Sequence, residues 1–339
     1  MAPTELVRLP AEPDASQRLS VTLRTLLRTM RNSPADSDHV VVVELAGRGL
    51  AEFWTVFLLS RAPFRRRIWV TVHDTPAVSG GSFYFKALDR RGGRCVASWL
   101  SNWLGQKAER VVLQKVERVY CLSTLGAKLL VARFSLTRSV QRLPFISPVS
   151  KGSIALRQSI FMPGYLDGVQ NVAPVILAVA AGPDWCRLEI GSCSEETKFD
   201  VASLAYQLRV QDRVELLGYL DEKALDAAFE RAAIVVRWRD SGWLRDDKAQ
   251  QGAVSGALMN ALAHGCAIVT NDSRGIVECL TDAESSQVGN GQSGRDELQA
   301  VLSELLIDGA RRERMGTSGR AHISNNHSIA VVALALADS

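Results

Sequence analysis

Long hydrophobic runs are missing from this 339-residue chain. No stretch of about 18 consecutive apolar residues occurs, so a helix that crosses a membrane is not expected. The N-terminus carries Pro3, Glu5, Pro10, Glu12 and Pro13 where a secretory leader needs an apolar core, and the expected location is therefore cytoplasmic. Cysteine is sparse. Cys95, Cys121, Cys186, Cys193, Cys266 and Cys279 form no C-x-x-C pair and have no histidine at zinc-knuckle spacing. A disulfide framework and a metal centre are both excluded on that pattern. Cys121 and Cys186 sit in apolar strand-like runs and are expected to be reduced packing residues. Helix-turn-helix, RNP and zinc-finger patterns are absent too, so no nucleic-acid partner is expected.

What is present is enough apolar material, 47% of residues, to bury two cores. The net charge of +4 conceals a split: Met1–Ser150 carries +11 and Lys151–Ser339 carries −7. The excess lies between Arg61 and Arg142, which points to an anionic partner for the first half. Arg65, Arg66 and Arg67 stand beside Phe64 and Trp69, and Trp99 and Trp103 share a helix with Lys107 and Arg110. These groups suit an anionic membrane surface, or they form a solvated basic face.

Periodicity alternates strand and helix throughout. An Arg-bearing helix covers Leu19–Met30, and His39–Glu44 is a continuous β-branched run that reads as a buried parallel strand. Strands follow at 68–72 and 119–122, with an amphipathic helix over Val96–Arg118 and another, opened by Ser123, over Thr124–Phe134. After Pro144 the pattern restarts. Strands are expected at 160–162, 187–190, 214–217, 233–236 and 267–270, and helices at 169–181, 199–208, 221–232, 255–263 and 275–280. This is the pattern of two doubly wound α/β domains joined near Val149.

Ligands of such sheets bind beyond the carboxyl ends of the strands, and there the order of residues resembles the retaining nucleotide-sugar glycosyltransferases of GT-B fold, the group containing many bacterial mannosyltransferases (family 4 type). The resemblance rests on Val70-Thr-Val-His-Asp-Thr-Pro76, Tyr120-Cys-Leu-Ser123, Gly164-Tyr-Leu-Asp-Gly-Val-Gln-Asn-Val172 and Val214-Glu-Leu-Leu-Gly-Tyr-Leu220. It continues through Ser255-Gly-Ala-Leu-Met-Asn-Ala-Leu-Ala-His-Gly265 and Ala267-Ile-Val-Thr-Asn-Asp272. It implies two Rossmann-like domains facing a cleft, with residues 1–150 on the acceptor side, 151–325 holding the nucleotide sugar, and a closing helix in 326–339 that returns to the first domain. One helix precedes the strand at His39–Glu44 where the family has several further elements, so the expectation is either a first domain trimmed relative to the family or a start that lies further upstream than Met1.

The resemblance also implies roles. His73, supported by Asp74, meets the donor sugar, and Gly218 and Tyr219 meet the nucleobase. Ser255 and Gly256 offer helix N–H groups to the diphosphate. The paired glutamates of the family align with Gly252 and Asn260, so an amide replaces the carboxylate that holds the ribose. The family's Arg and Lys near Gly164 are absent from that turn. Arg237 and Lys248 are the proposed substitutes, with Lys151, Arg239, Arg245 and Arg274 also in reach by sequence. The expected activity is transfer of a hexose, with retention and without a metal, from a nucleotide sugar to a saccharide or lipid-linked acceptor, as in envelope or exopolysaccharide synthesis. The expected place is the inner face of the plasma membrane. The alternatives are a catalytically impaired partner subunit and an epimerase, which would need a carboxylate–histidine pair of which the sequence offers only His73 with Asp74.

Overall fold

The computed structural model describes residues 15–32, 40–45, 50–61, 66–73, 75, 78, 94–150, 152–153, 157–166, 168–240, 252–271, 278–280, 283–289 and 291–337. The chain divides into two compact units, one formed by Met1–Leu143 with Lys248–Val254, the other by Pro144–Asp247 with Ser255–Ser339.

In the first unit the elements run α1 (Ala15–Asn32), β1 (Val40–Leu45), α2 (Leu50–Leu59), β2 (Arg67–Val72), α3 (Arg94–Lys115), β3 (Arg118–Cys121), α4 (Thr124–Phe134) and β4 (Gln141–Arg142). The strands form a parallel sheet in the order β1-β2-β3-β4. Its core gathers Phe53, Val56, Leu59, Ile68, Val70, Val72, Val112, Leu113 and Leu130, all fully buried. One expectation fails here. Among the described residues β1 is an edge strand, with Leu45 buried but Val42 60% exposed. A run of valines has the same pattern whether a strand has one neighbour or two; only the sheet order tells them apart.

The second unit runs β5 (Ser159–Met162), a 3-10 turn (Val169–Asn171), α5 (Ala173–Ala181), β6 (Arg187–Ile190), α6 (Glu195–Gln207), β7 (Val214–Leu216), α7 (Glu222–Arg231) and β8 (Ala232–Arg237). It closes with α8 (Gly256–His264), β9 (Ala267–Asn271), β10 (Ser286–Val288), α9 (Gly291–Ile307), α10 (Gly309–Asn326) and α11 (Ile329–Ala337). β4, β10, α9 and α10 have no counterpart among the elements read from the sequence. α6 begins four residues before Phe199, because Ser194 caps it by accepting from Thr197 N and the acidic Glu195 and Glu196 suit the positive helix start. Phe199 itself is exposed, so its apolar character marks no boundary. The expected helix at 275–280 falls largely outside the described residues.

All strand pairs of the second sheet are parallel, in the order β10-β9-β8-β5-β6-β7. From β5 the chain winds one way through β6 and β7, then the other way through β8, β9 and β10. The direction therefore reverses between β5 and β8, and a doubly wound sheet opens its ligand crevice at that switch. β5 and β9 are buried along their whole length, as strands covered on both faces must be.

Cys121, Cys186, Cys193, Cys266 and Cys279 are buried free thiols, as the packing reading requires. Burial pushes Cys186 up to about 11 and Cys266 to about 12, and raises Cys121 as well. None of these three is a thiolate near neutrality.

Candidate functional site

The switch point in the second unit is built from three loops. After β5 the chain enters Gly164, whose φ of +89° is closed to most side chains. After β6 it reaches Gly191, where a Cβ would stand 3.0 Å from Gly164 O and 3.2 Å from Gly164 N. The two loops are then zipped together by Leu166 N to Ser192 O (2.8 Å) and Gly168 N to Thr197 Oγ1 (2.8 Å). Glycine at both positions lets the two backbones approach this closely.

The third wall is the end of β8. Trp238 is fully buried and its Nε1 donates to Gly289 O (3.0 Å), which turns that side chain into the core. By strand alternation its neighbours Arg237 and Arg239 project to the other face. Their backbone is pinned: Thr270 Oγ1 donates to Arg237 O (2.8 Å), Asn271 Nδ2 to Arg239 O (2.7 Å), and Asp240 N to Asn171 Oδ1 (2.8 Å). Arg239 Nη2 donates to Tyr165 O (3.4 Å), and Arg237 Nη1 is 3.8 Å from the place a Gly164 Cβ would occupy. Two guanidinium groups thus flank the Gly164–Tyr165 turn.

Arg237 is electrostatically exposed to need. Its buried Nε has no hydrogen-bond partner, and no carboxylate lies within ion-pairing distance among the described residues. Burial first, and the like charge of Arg239 second, draw its pKa down to about 10. Burial lowers Arg239 as well. Arg237 remains a cation at neutral pH, held where a charge is costly without a counterion.

The other positions expected from the sequence are distributed as follows. Gly218, at φ +73° after β7, has open space where its Cβ would be, and Tyr219 beside it is 89% exposed. The strand order places Arg237, Gly164, Gly191 and Gly218 in succession along one edge of the sheet. Ser255 caps α8 through Leu258 N (3.4 Å), so one of the helix's N–H groups is already satisfied, and the Phe145 ring packs over Gly256. Asn260 Oδ1 accepts from Ser147 Oγ (2.9 Å): the amide carbonyl holds this chain's own hydroxyl. Lys248, Lys151, Arg245 and Arg274 lie outside the described residues, as does Asp74.

In the first unit His73 ends β2, and its N–H donates to Leu45 O (3.1 Å). Its Nε2 pairs with Glu44 of β1, a carboxylate partner the sequence reading did not assign. Thr75, two residues on, accepts from Gly252 N (3.1 Å), while Ser123 donates to Gly252 O (2.6 Å) and caps α4 through Gly126 N (2.9 Å). Gly252 therefore sits in the first unit, and a Cβ there would overlap Gly126 Cα and stand 2.5 Å from Thr75 Oγ1. Glu44 was missed by the sequence because it owes its place beside His73 to the pairing of β1 with β2. Arg65 lies outside the described residues, as does the Trp99 side chain; Arg67 forms a bidentate pair with Glu117 (2.9 Å), so its charge is already matched.

Residues 157–322 match the family model of glycosyl transferases group 1. No curated protein sequence matches the chain significantly. Among solved structures, sucrose-phosphate synthase from Thermosynechococcus elongatus superposes with a TM-score of 0.64 at 13% identity, over 98% of this chain and 81% of that one. HepE from Anabaena, solved with UDP and glucose, gives 0.64 at 10% identity over 96% and 82%. TarM from S. aureus gives 0.63 at 9% identity over 92% of this chain, which spans 57% of the TarM chain. Identities this low establish the shared fold. The fold is the GT-B fold of these glycosyltransferase structures, and the family match falls mainly within the second unit. More particularly, the stretch 157–322 of the second unit is a group 1 glycosyltransferase domain.

Proposed function

We propose that this protein transfers a hexose from a nucleoside diphosphate sugar to a saccharide or lipid-linked acceptor, with retention at the anomeric carbon and without a metal. The observation that carries the reading is Arg237 at the switch point between β5 and β8, its buried Nε without a hydrogen-bond partner and no carboxylate in ion-pairing distance among the described residues, beside the Gly164 turn. A departing diphosphate accumulates negative charge, and a fixed, desolvated cation aimed at it stabilises the transition state by several kcal/mol in order of magnitude. Gly218 and Tyr219, further along the same edge, suit a flat nucleobase. HepE, similar in fold, was solved with UDP and with UDP-glucose, which makes UDP the first nucleotide to test.

Titration with UDP is expected to raise the unfolding temperature progressively with concentration, by mass action on the native state, and UDP-glucose is expected to be turned over with release of UDP. A chain acting only as a partner subunit would show neither response, and that result would refute the proposal.

The acceptor side of the reading places the protein at the cytoplasmic face of a membrane. No helix among the described residues is long and apolar enough to cross one. α1, however, carries Arg18, Arg24, Arg28 and Arg31 and no acidic residue, with Leu23 and Leu27 exposed one turn apart. Exposed Trp103 on α3 has Lys107 Nζ 3.6 Å over its ring. Such faces suit the boundary between acidic headgroups and acyl chains. The protein is expected to cosediment with vesicles of anionic lipid, not with neutral ones, and replacing both Leu23 and Leu27 with Ser is expected to weaken that binding about tenfold. Equal binding by the variant would remove α1 from the interaction.

A further inference from the structure

We propose that the outer face of α6 is a dimer interface, on which a second copy of this chain lies antiparallel about a twofold axis between Ala202 and Ser203. α6 buries Thr197, Val201 and Ala205, and at helical spacing the opposite face is Phe199, Ala202, Ser203 and Tyr206. That face is open. Phe199 is 75% and Tyr206 74% exposed, and Ala202 and Ser203 are exposed between them. α5, which packs beside α6, has no polar side chain from Ala173 to Ala181, and its Leu177 is exposed as well. Single exposed apolar residues are ordinary on a protein surface, whereas two aromatics on one helix face with only small side chains between them mark a surface for contact.

The occupant follows from the order of residues along the helix, because this face is complementary to itself reversed. Phe199 and Tyr206 stand equally far on either side of the point between Ala202 and Ser203. In an antiparallel pair Phe199 of one copy therefore meets Tyr206 of the other, and the small residues at the centre let the two helices approach closely enough for the rings to touch. Charge agrees with this arrangement. Glu195 and Glu196 form the first turn of α6, and Arg209 follows its last; all three are exposed. Glu195 pairs with Lys198 (2.5 Å), whereas neither Glu196 nor Arg209 has an ion-pairing partner among the described residues. Reversal sets the acidic end of each helix beside the Arg209 end of the other, while a parallel pair would set carboxylates against carboxylates. The same acidic end repels a surface of anionic lipid. One patch used by both copies closes on itself, so assembly stops at two.

Sedimentation velocity of the full chain across a range of concentrations gives the measurement. The wild type is expected to show a monomer–dimer equilibrium, the dimer prevailing above roughly 10 μM as for an interface of modest size. Phe199→Ser together with Tyr206→Ser is expected to weaken the dimer about 100-fold and to leave the unfolding temperature of the dilute monomer unchanged, since both side chains are exposed in one chain. Arg209→Glu is expected to weaken the dimer about tenfold, and adding Glu195→Lys and Glu196→Lys to that variant to restore it. Ala202→Cys, beside the axis, is expected to form a disulfide-linked dimer with oxidised glutathione, and Glu222→Cys, exposed on α7, is not. A wild type that stays monomeric at every concentration, a dimer indifferent to the loss of Phe199 and Tyr206, or a charge-reversed variant that fails to recover would each overturn the interface. A monomeric wild type that binds anionic vesicles through Phe199 would overturn it too, and give the face to lipid.

Discussion

Arg237→Met is expected to raise the stability of the ligand-free protein and to remove most of its affinity for UDP. The two effects have one cause. Arg237 is a cation with a buried, unpartnered Nε and no ion pair within the described residues, and burial already lowers its pKa to about 10. Replacing such a charge with an apolar side chain of similar length removes a desolvation cost, and gains of about 1 kcal/mol or more are ordinary for substitutions of this kind. Binding moves the other way. A charge-assisted contact to a diphosphate is worth about 2–3 kcal/mol, so UDP should bind roughly 30- to 150-fold more weakly. Thermal unfolding without ligand and calorimetric titration with UDP measure the two effects separately. An arginine kept for structure alone behaves differently: its loss would lower the unfolding temperature and leave UDP binding as it was.

Gly252→Glu is expected to damage the protein instead of restoring the family's carboxylate. The resemblance aligns Gly252 with the first of the paired glutamates, which invites the substitution. The structure forbids it. Gly252 is held by Thr75 and Ser123 on both sides of its peptide, and any Cβ overlaps Gly126 Cα and crowds Gly126 N at 2.7 Å. The obstruction is backbone, which cannot rotate away, so a loss of about 3 kcal/mol is expected from overpacking. Hydrogen exchange at the Gly252 amide, bonded to Thr75 O, should accelerate along with a fall in unfolding temperature. Asn260→Glu is the contrasting variant. Its side chain is half-buried and meets the Ser147 hydroxyl, which a carboxylate also accepts. That variant should fold with near-normal stability, and a Gly252→Glu protein as stable as it would show the glycine contact to be dispensable.

These two sites show how far the residues alone could be read. Arg237 was marked as a substitute cation because the Gly164–Gln170 turn carries no basic side chain, and local sequence sufficed for that. That Arg237 ends a strand next to β5 needed coordinates, because strand adjacency is a long-range property that periodicity does not encode. Asn260 went the opposite way. Its type suggested a hydroxyl partner, and it has one, but that partner is Ser147, 113 residues away in sequence. His73 was singled out with Asp74 beside it, whereas its observed partner is Glu44 on the neighbouring strand.

By itself the sequence determined the α/β class, the alternation of strands and helices, the helix starts at Ser123, Asp221 and Ser255, and the inert burial of the described cysteines. Each of these depends on chemistry within a turn or two of chain: a side-chain oxygen near free N–H groups, or an apolar run long enough for one element. The tertiary structure alone decided the edge position of β1, the switch point between β5 and β8, the glycine contacts Gly164–Gly191 and Gly126–Gly252, and the Glu44–His73 pair. Those depend on which strands lie side by side, and that choice is made by the whole core at once, because the burial that selects it is shared among residues far apart in the chain.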